Sequence, residues 1–309
     1  MTNVRIYAII SAIKGELVME KYLLNDVLDD VNKHISTVVG ESSVYRLRDG
    51  SYLKVFNPAF IRLNETSKGN ALELKILESE KLKLPFQMKK PTGAFYDEEG
   101  MFRAYTTKGF DGVDLSRYFH ELSFFEQMLP ENYSRRYGYL EKIIDEANKE
   151  GVVFPDLCSE GNVLFNPRGL LGLVDYDGLQ VGDDKSIVYL SSALGDAAQY
   201  ENSKYKKNGL YTSQLDKKSL IIHYFANAFD LNLSDVGEKD PITGSIITVD
   251  QKLDSINMKD DEVRDIVRTA FSSEGYNGSI VEAVEKFDYE SSIFPTQEGK
   301  KLIKGRVRF

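Results

Sequence analysis

The sequence predicts an α+β protein in which a strand-rich first part holding one helix precedes a larger, mainly helical part. Three observations predict it. Short β-prone runs separated by acidic, glycine-containing turns crowd residues 40–107 and enclose one amphipathic stretch. Helical periodicity then dominates to about Lys149 and returns at Ser219–Phe229. Between those helical stretches lies a pair of short apolar strands, 162–165 and 170–175, joined by an Asn-Pro-Arg-Gly turn.

Taken in order, Leu23, Leu24, Val27, Leu28 and Val31 recur at helical spacing and predict a leading helix over 21–35. The runs 44–47 and 52–56, separated by Arg48-Asp49-Gly50-Ser51, read as a β-hairpin. Residues 70–82, with Leu72, Ile76 and Leu77 among many Glu and Lys, suit an amphipathic helix stopped before Pro85. A second strand pair, 94–96 and 101–105, is joined by Asp97-Glu98-Glu99-Gly100. Past Gly109 and Gly112, the stripe Tyr139-Leu140, Ile143-Ile144 and Ala147 marks a buried helix face. Residues 179–213 read as loop-rich and 235–255 as a connection, with helices expected near 259–273 and 279–288.

A chain of 309 residues suits one two-lobed unit or two small domains, and 42% apolar against 28% charged residues allows a sizeable core. The net charge of −9 disfavours a non-specific grip on nucleic acid or an anionic membrane. A single cysteine, Cys158, excludes an intrachain disulfide and a multi-thiolate zinc site, and it reads as a small packing residue rather than a reactive thiol. His34, His120 and His223 are too scattered for a histidine metal centre. The apolar run Ile6 to Ile13 is too short to span a bilayer and lacks a small-residue cleavage site. These features predict a soluble cytoplasmic protein with neither a nucleic-acid nor a membrane partner. Lys14-Gly15-Glu16 is what a purine-rich ribosome-binding site would encode, so either translation starts at Met19 and 1–18 is untranslated, or 1–18 is an ordinary N-terminal element.

The chemistry-bearing residues cluster around the second strand pair. A hairpin over 162–175 sets its two ends side by side, bringing Asn162 and Asp175 together, with Asp156 one loop away. A carboxylate and an amide oxygen at one hairpin mouth suit a hard cation such as Mg2+, whereas each residue taken alone serves a turn equally well.

The order Asp156-Leu157, Asn162-Val163-Leu164 and Val174-Asp175-Tyr176-Asp177-Gly178 resembles the catalytic loop and metal-binding triplet of the protein-kinase superfamily, as a divergent serine/threonine member of bacterial or phage type. Tyr52-Leu53-Lys54-Val55 is similar to the strand bearing the phosphate-contacting lysine. Glu73-Leu74-Lys75 is similar to the helix whose glutamate pairs with that lysine, and Asp216 to the aspartate holding the catalytic loop. The resemblance covers about residues 40–230 and implies a bilobal fold: an N-terminal extension over 1–35, a small lobe over 36–107 and a large lobe over 108–309. It implies ATP and Mg2+ as cofactors. Lys54 would hold the α- and β-phosphates with Glu73 positioning it, Asn162 and Asp175 would ligate the metal, and Asp156 would accept the proton of the attacking hydroxyl. Phe102 to Thr107, with the backbone groups of Ala104, Tyr105 and Thr106, would be the interlobe hinge at the adenine edge, and Asp114 would bond the ribose.

The sequence departs from the family pattern at several places. Gly40-Glu41-Ser42 offers one glycine where three are usual, Phe154-Pro155 stands in place of His-Arg, and one extra residue separates Asp156 from Asn162. Asp177 replaces the triplet's glycine and adds an acidic group beside the metal position. The implied activity is transfer of the γ-phosphate to a hydroxyl, foremost a Ser or Thr of a protein substrate. A small-molecule acceptor and a nucleotide-binding pseudokinase remain as alternatives.

Overall fold

The computed structural model describes residues 19, 21–38, 41–59, 71–114, 130–157, 161–166, 170–182, 206–208, 210–229, 231–272, 275–276 and 278–279. The readings made above for 1–18, for Cys158 and for a helix near 279–288 lie almost wholly outside these residues.

The first lobe is a six-stranded sheet in the order β1-β5-β6-β4-β3-β2. Its strands are β1 (Lys21–Leu23), β2 (Val31–Val38), β3 (Ser42–Leu47), β4 (Tyr52–Phe56), β5 (Pro91–Tyr96) and β6 (Phe102–Thr107). Both expected hairpins form. In β3–β4, Arg46 pairs with Tyr52, Gly50 takes φ 85° and Asp49 accepts the Ser51 amide at 2.8 Å. In β5–β6, Gly100 takes φ 78° and Asp97 accepts the Met101 amide at 2.8 Å. Helix α2 (Ala71–Glu78) buries Leu72 and Ile76 and runs into a 3-10 turn, Ser79–Lys81, ahead of Pro85.

The leading helix expected over 21–35 does not form. Only α1 (Leu24–Leu28) is helical; β1 precedes it and β2 follows it. Tyr22, Leu24, Val27 and Val31 all pack on Leu47, Leu53, Phe95 and Ala104, a cluster on one face of the sheet. Pairing and burial against that sheet outweigh a weak local helical period. Residues 21–35 therefore lie within the first lobe, and an extension ending at residue 35 would cut β2. Met19, just before β1, is buried in the main core.

The second lobe comprises β7 (Val113–Asp114), α3 (Pro130–Lys149), β8 (Val152–Val153), β9 (Val163–Phe165), β10 (Leu171–Leu173), β11 (Gln180–Val181), β12 (Lys206–Lys207), β13 (Leu210–Tyr211), α4 (Ser213–Phe229), α5 (Val249–Ser255) and α6 (Asp261–Phe271). Helix α3 buries Tyr137, Leu140, Ile143, Ile144 and Ala147. Tyr137 meets Tyr224 of α4 edge-on, ring centres 5.2 Å apart. Burying each such side chain contributes about 1.5–3 kcal/mol. Within the segment 235–255 read as a connection, α5 forms on a capping box in which Thr248 and Gln251 each accept the other's amide. One core cluster holds Phe56, Ile76 and Tyr105 of the first lobe together with Leu140, Phe154 and Phe165 of the second. Residues 108–112 connect the two lobes.

Candidate active site

Lys54 sits in the middle of β4, between β3 and β6. Strand alternation sends Leu53 into the sheet's own cluster and Lys54, with Phe56, to the opposite face, toward the second lobe. There its Nζ donates to Asp175, 121 residues later in the chain, and to Asp177 at 3.0 Å. Asp175 follows β10 in a left-handed conformation, φ 65° and ψ 55°, and opens a 3-10 turn, Tyr176–Gly178. For a non-glycine residue this conformation carries strain of about 1 kcal/mol or more, the kind that surrounding contacts must hold in place. Those contacts are visible: Val174 N donates to Asn162 O at 3.0 Å and Gly178 N to Asp175 O at 3.1 Å.

Tyr105 stands opposite Lys54 in the β4–β6 register, and its hydroxyl donates to Asp177 at 2.6 Å. The Asp177 side chain is 5% exposed and that of Asp175 25%, so Asp177 forms the floor of the cluster and Asp175 its mouth. Burial by itself depresses a lysine ammonium, but the two carboxylates outweigh it and hold Lys54 above the ordinary lysine value. Burial and the charge of Asp177 push Asp175 above the usual carboxylate value, partly offset by Lys54. Burial acts in the same sense on Asp177, but Lys54, the Tyr105 hydroxyl and Lys75 together hold it below.

Asp156 and Asn162 form the neighbouring group. Asn162 Nδ2 donates to Asp156 O at 2.7 Å and to its carboxylate at 3.3 Å. The β9–β10 register, Val163 opposite Leu173, places Asn162 at the same hairpin end as Asp175. With its amide nitrogen bound to Asp156, Asn162 keeps its side-chain oxygen as the atom that a cation would use. A carboxylate and an amide oxygen at one mouth fit a hard cation that keeps waters and phosphate oxygens as its other ligands. Beneath the loop, fully buried Asp216 of α4 accepts the Phe154 amide at 2.8 Å and Asn148 Nδ2 at 2.7 Å, fixing the backbone two residues before Asp156.

Two expectations are corrected, and a third residue makes a contact that sequence reading did not foresee. Glu73 accepts from Lys21 Nζ at 3.1 Å and from the Tyr96 hydroxyl at 2.5 Å, while the carboxylates on Lys54 are Asp175 and Asp177. Residues two apart on a helix point about 200° from one another, so with Glu73 facing β1 and β5 it is Lys75 that reaches the second lobe. Lys75 Nζ donates to Asp177 O at 2.5 Å and Leu179 O at 3.0 Å. Second, Ala104, Tyr105 and Thr106 lie inside β6, paired on both sides with β4 and β5, so the backbone of Phe102 to Thr107 serves the sheet rather than a hinge. The connector is 108–112, where the Phe110 ring covers Gly172, a position at which any Cβ would lie 2.5 Å from the ring. Third, one oxygen of Asp114 accepts the Gly161 amide at 2.9 Å, so this residue braces the Asp156–Asn162 loop.

Sequence reasoning passed over Glu41, Lys75 and the side chain of Tyr105. Glu41, in the turn between β2 and β3, is pushed up to about 7 by burial and the charges of Asp177 and Asp175, against the opposing pull of Lys54. Its place beside the lone glycine of that turn was the available signal.

No family model and no curated protein matches the sequence. Among solved structures, the chain is similar to the kinase domain of Mycobacterium tuberculosis PknI, with a TM-score of 0.52 and 13% identity, covering 85% of this chain and 95% of that one. The fold is protein-kinase-like, with a β lobe and a helical lobe.

Proposed function

We propose that this chain is an ATP- and Mg2+-dependent phosphotransferase that moves the γ-phosphate to a hydroxyl, foremost a Ser or Thr of a protein substrate. The observation that carries the reading is the meeting of Lys54 with Asp175 across the two lobes, next to the Asp156–Asn162 pair. Lys54 binds the α- and β-phosphates, replacing part of its present contact with Asp175. Asn162 and Asp175 hold Mg2+, which when bound offsets the charge of the phosphates. Asp156 orients the acceptor hydroxyl and takes its proton, a task of position more than of base strength because the transition state is loose. The small lobe up to residue 107 and the large lobe from 108 enclose the nucleotide, and residues 108–112 supply the adenine-edge backbone groups. No helix among the described residues is long and apolar enough to cross a membrane.

Incubation with γ-labelled ATP, with and without lysate, tests the assignment. Wild type transfers label to protein, and Asp156→Ala and Asp175→Ala each lower transfer at least 100-fold while remaining folded. Undiminished transfer by either variant refutes the roles given. Label appearing only in low-mass products moves the acceptor to a small molecule, and MgATP binding without transfer by wild type makes the protein a nucleotide-binding module.

A further inference from the structure

We propose that Asp177, not Glu73, is the residue that positions Lys54 for phosphate. The inference deepens the nucleotide reading and rests on it. Lys54 meets two carboxylates of unequal situation: Asp175 lies at the mouth, beside Asn162, and Asp177 lies on the floor. Asp175 and Asn162 would hold the cation, and Asp175 would then share its charge between that ion and the Lys54 ammonium. Asp177 remains, because its position is fixed independently of that event. Its carboxylate accepts from the Tyr105 hydroxyl at 2.6 Å, and its carbonyl accepts from Lys75 Nζ at 2.5 Å. Tyr105 is in turn the register partner of Lys54, so strand and turn are tied to one another through the carboxylate.

Buried Lys54 thus keeps a counter-charge in both the empty and the occupied cleft. Glu73 is committed elsewhere: it joins Lys21 and Tyr96, fastening α2 to β1 and β5 within the small lobe. The acidic residue at the triplet's third position therefore takes over a task that the family resemblance assigned to the helix. The helix contributes Lys75 to the turn instead.

Two double-mutant cycles on the full chain test this. In urea unfolding without nucleotide, Lys54→Met and Asp177→Asn are expected to be strongly coupled, the double variant being far more stable than the sum of the singles, while Lys54→Met and Glu73→Gln are additive. If Lys54→Met does not fold, Lys54→Gln takes its place in the same cycle. In MgATP titrations, Asp177→Asn is expected to weaken binding at least 10-fold in the Lys54 background and less than 2-fold in the Lys54→Met background, since it acts through the lysine. Glu73→Gln is expected to change binding less than 3-fold. Coupling to Glu73 rather than Asp177, or equal weakening by Asp177→Asn in both backgrounds, overturns the proposal. If no protein, wild type included, binds MgATP, the nucleotide reading fails and with it the phosphate-positioning role. The unfolding cycle still reports separately whether Asp177 is the partner of Lys54.

Discussion

Glu41 is a residue at which a pH dependence is expected. Its carboxyl stands near Lys54, Asp175 and Asp177 and is raised from 4.5 to about 7 in the fold. An acid raised by folding favours the protonated native state, so its contribution to stability is fully present below about pH 4.5 and is lost as pH rises through about 7. Urea midpoints measured from pH 5 to 8 should fall with pH in wild type and fall less in Glu41→Gln. Over the same range MgATP affinity should drop above pH 7 in wild type, where an ionised Glu41 opposes the phosphates, and stay flatter in the variant. Asp216 makes the opposite kind of contribution, structural and independent of ligand. Asp216→Ala leaves the Phe154 amide and Asn148 without that carboxylate in a fully buried place, a loss of about 2–3 kcal/mol in urea unfolding. The same variant should lower phosphoryl transfer through a displaced Asp156.

Among the elements, α2 binds the lobes together through Lys75, a residue to which sequence reading gave no role. Its Lys75 satisfies two carbonyls of the triplet segment, at Asp177 and Leu179. Lys75→Met should cost about 2 kcal/mol in unfolding and, unlike Glu73→Gln, lower MgATP affinity, because it frees the turn bearing Asp175 and Asp177. The hairpins β3–β4, β5–β6 and β9–β10 were legible because their turns need particular residues: Asp49-Gly50, Asp97 with Gly100, and the Asn-Pro-Arg-Gly sequence. The rotation of α2 was not legible, since two charged positions two residues apart give no hint of which faces the second lobe until the packing of Leu72 and Ile76 fixes it. A similar limit hid β1 and β2, whose residues carry a passable helical period and become strands only because a sheet edge and an apolar face await them.

For the whole molecule, the order of landmarks along the chain made the bilobal arrangement and the approach of Lys54 to Asp175 readable, although their sequence separation is 121 residues. Charge compensation inside the cleft was not readable, because it depends on which of several carboxylates folding brings within reach of one ammonium. The sheet's two margins follow a different logic. The β2 margin is exposed and irregular, with register breaks at Val31/Lys33 and His34/Ser36. The other margin is completed by β1, three residues running parallel to β5. Peeling β1 away bares the backbone groups of Ala94–Tyr96 with which it pairs, a short template for a second copy's strand. A chain shortened through Leu23 should therefore self-associate, its light-scattering mass rising with concentration where the full chain's does not.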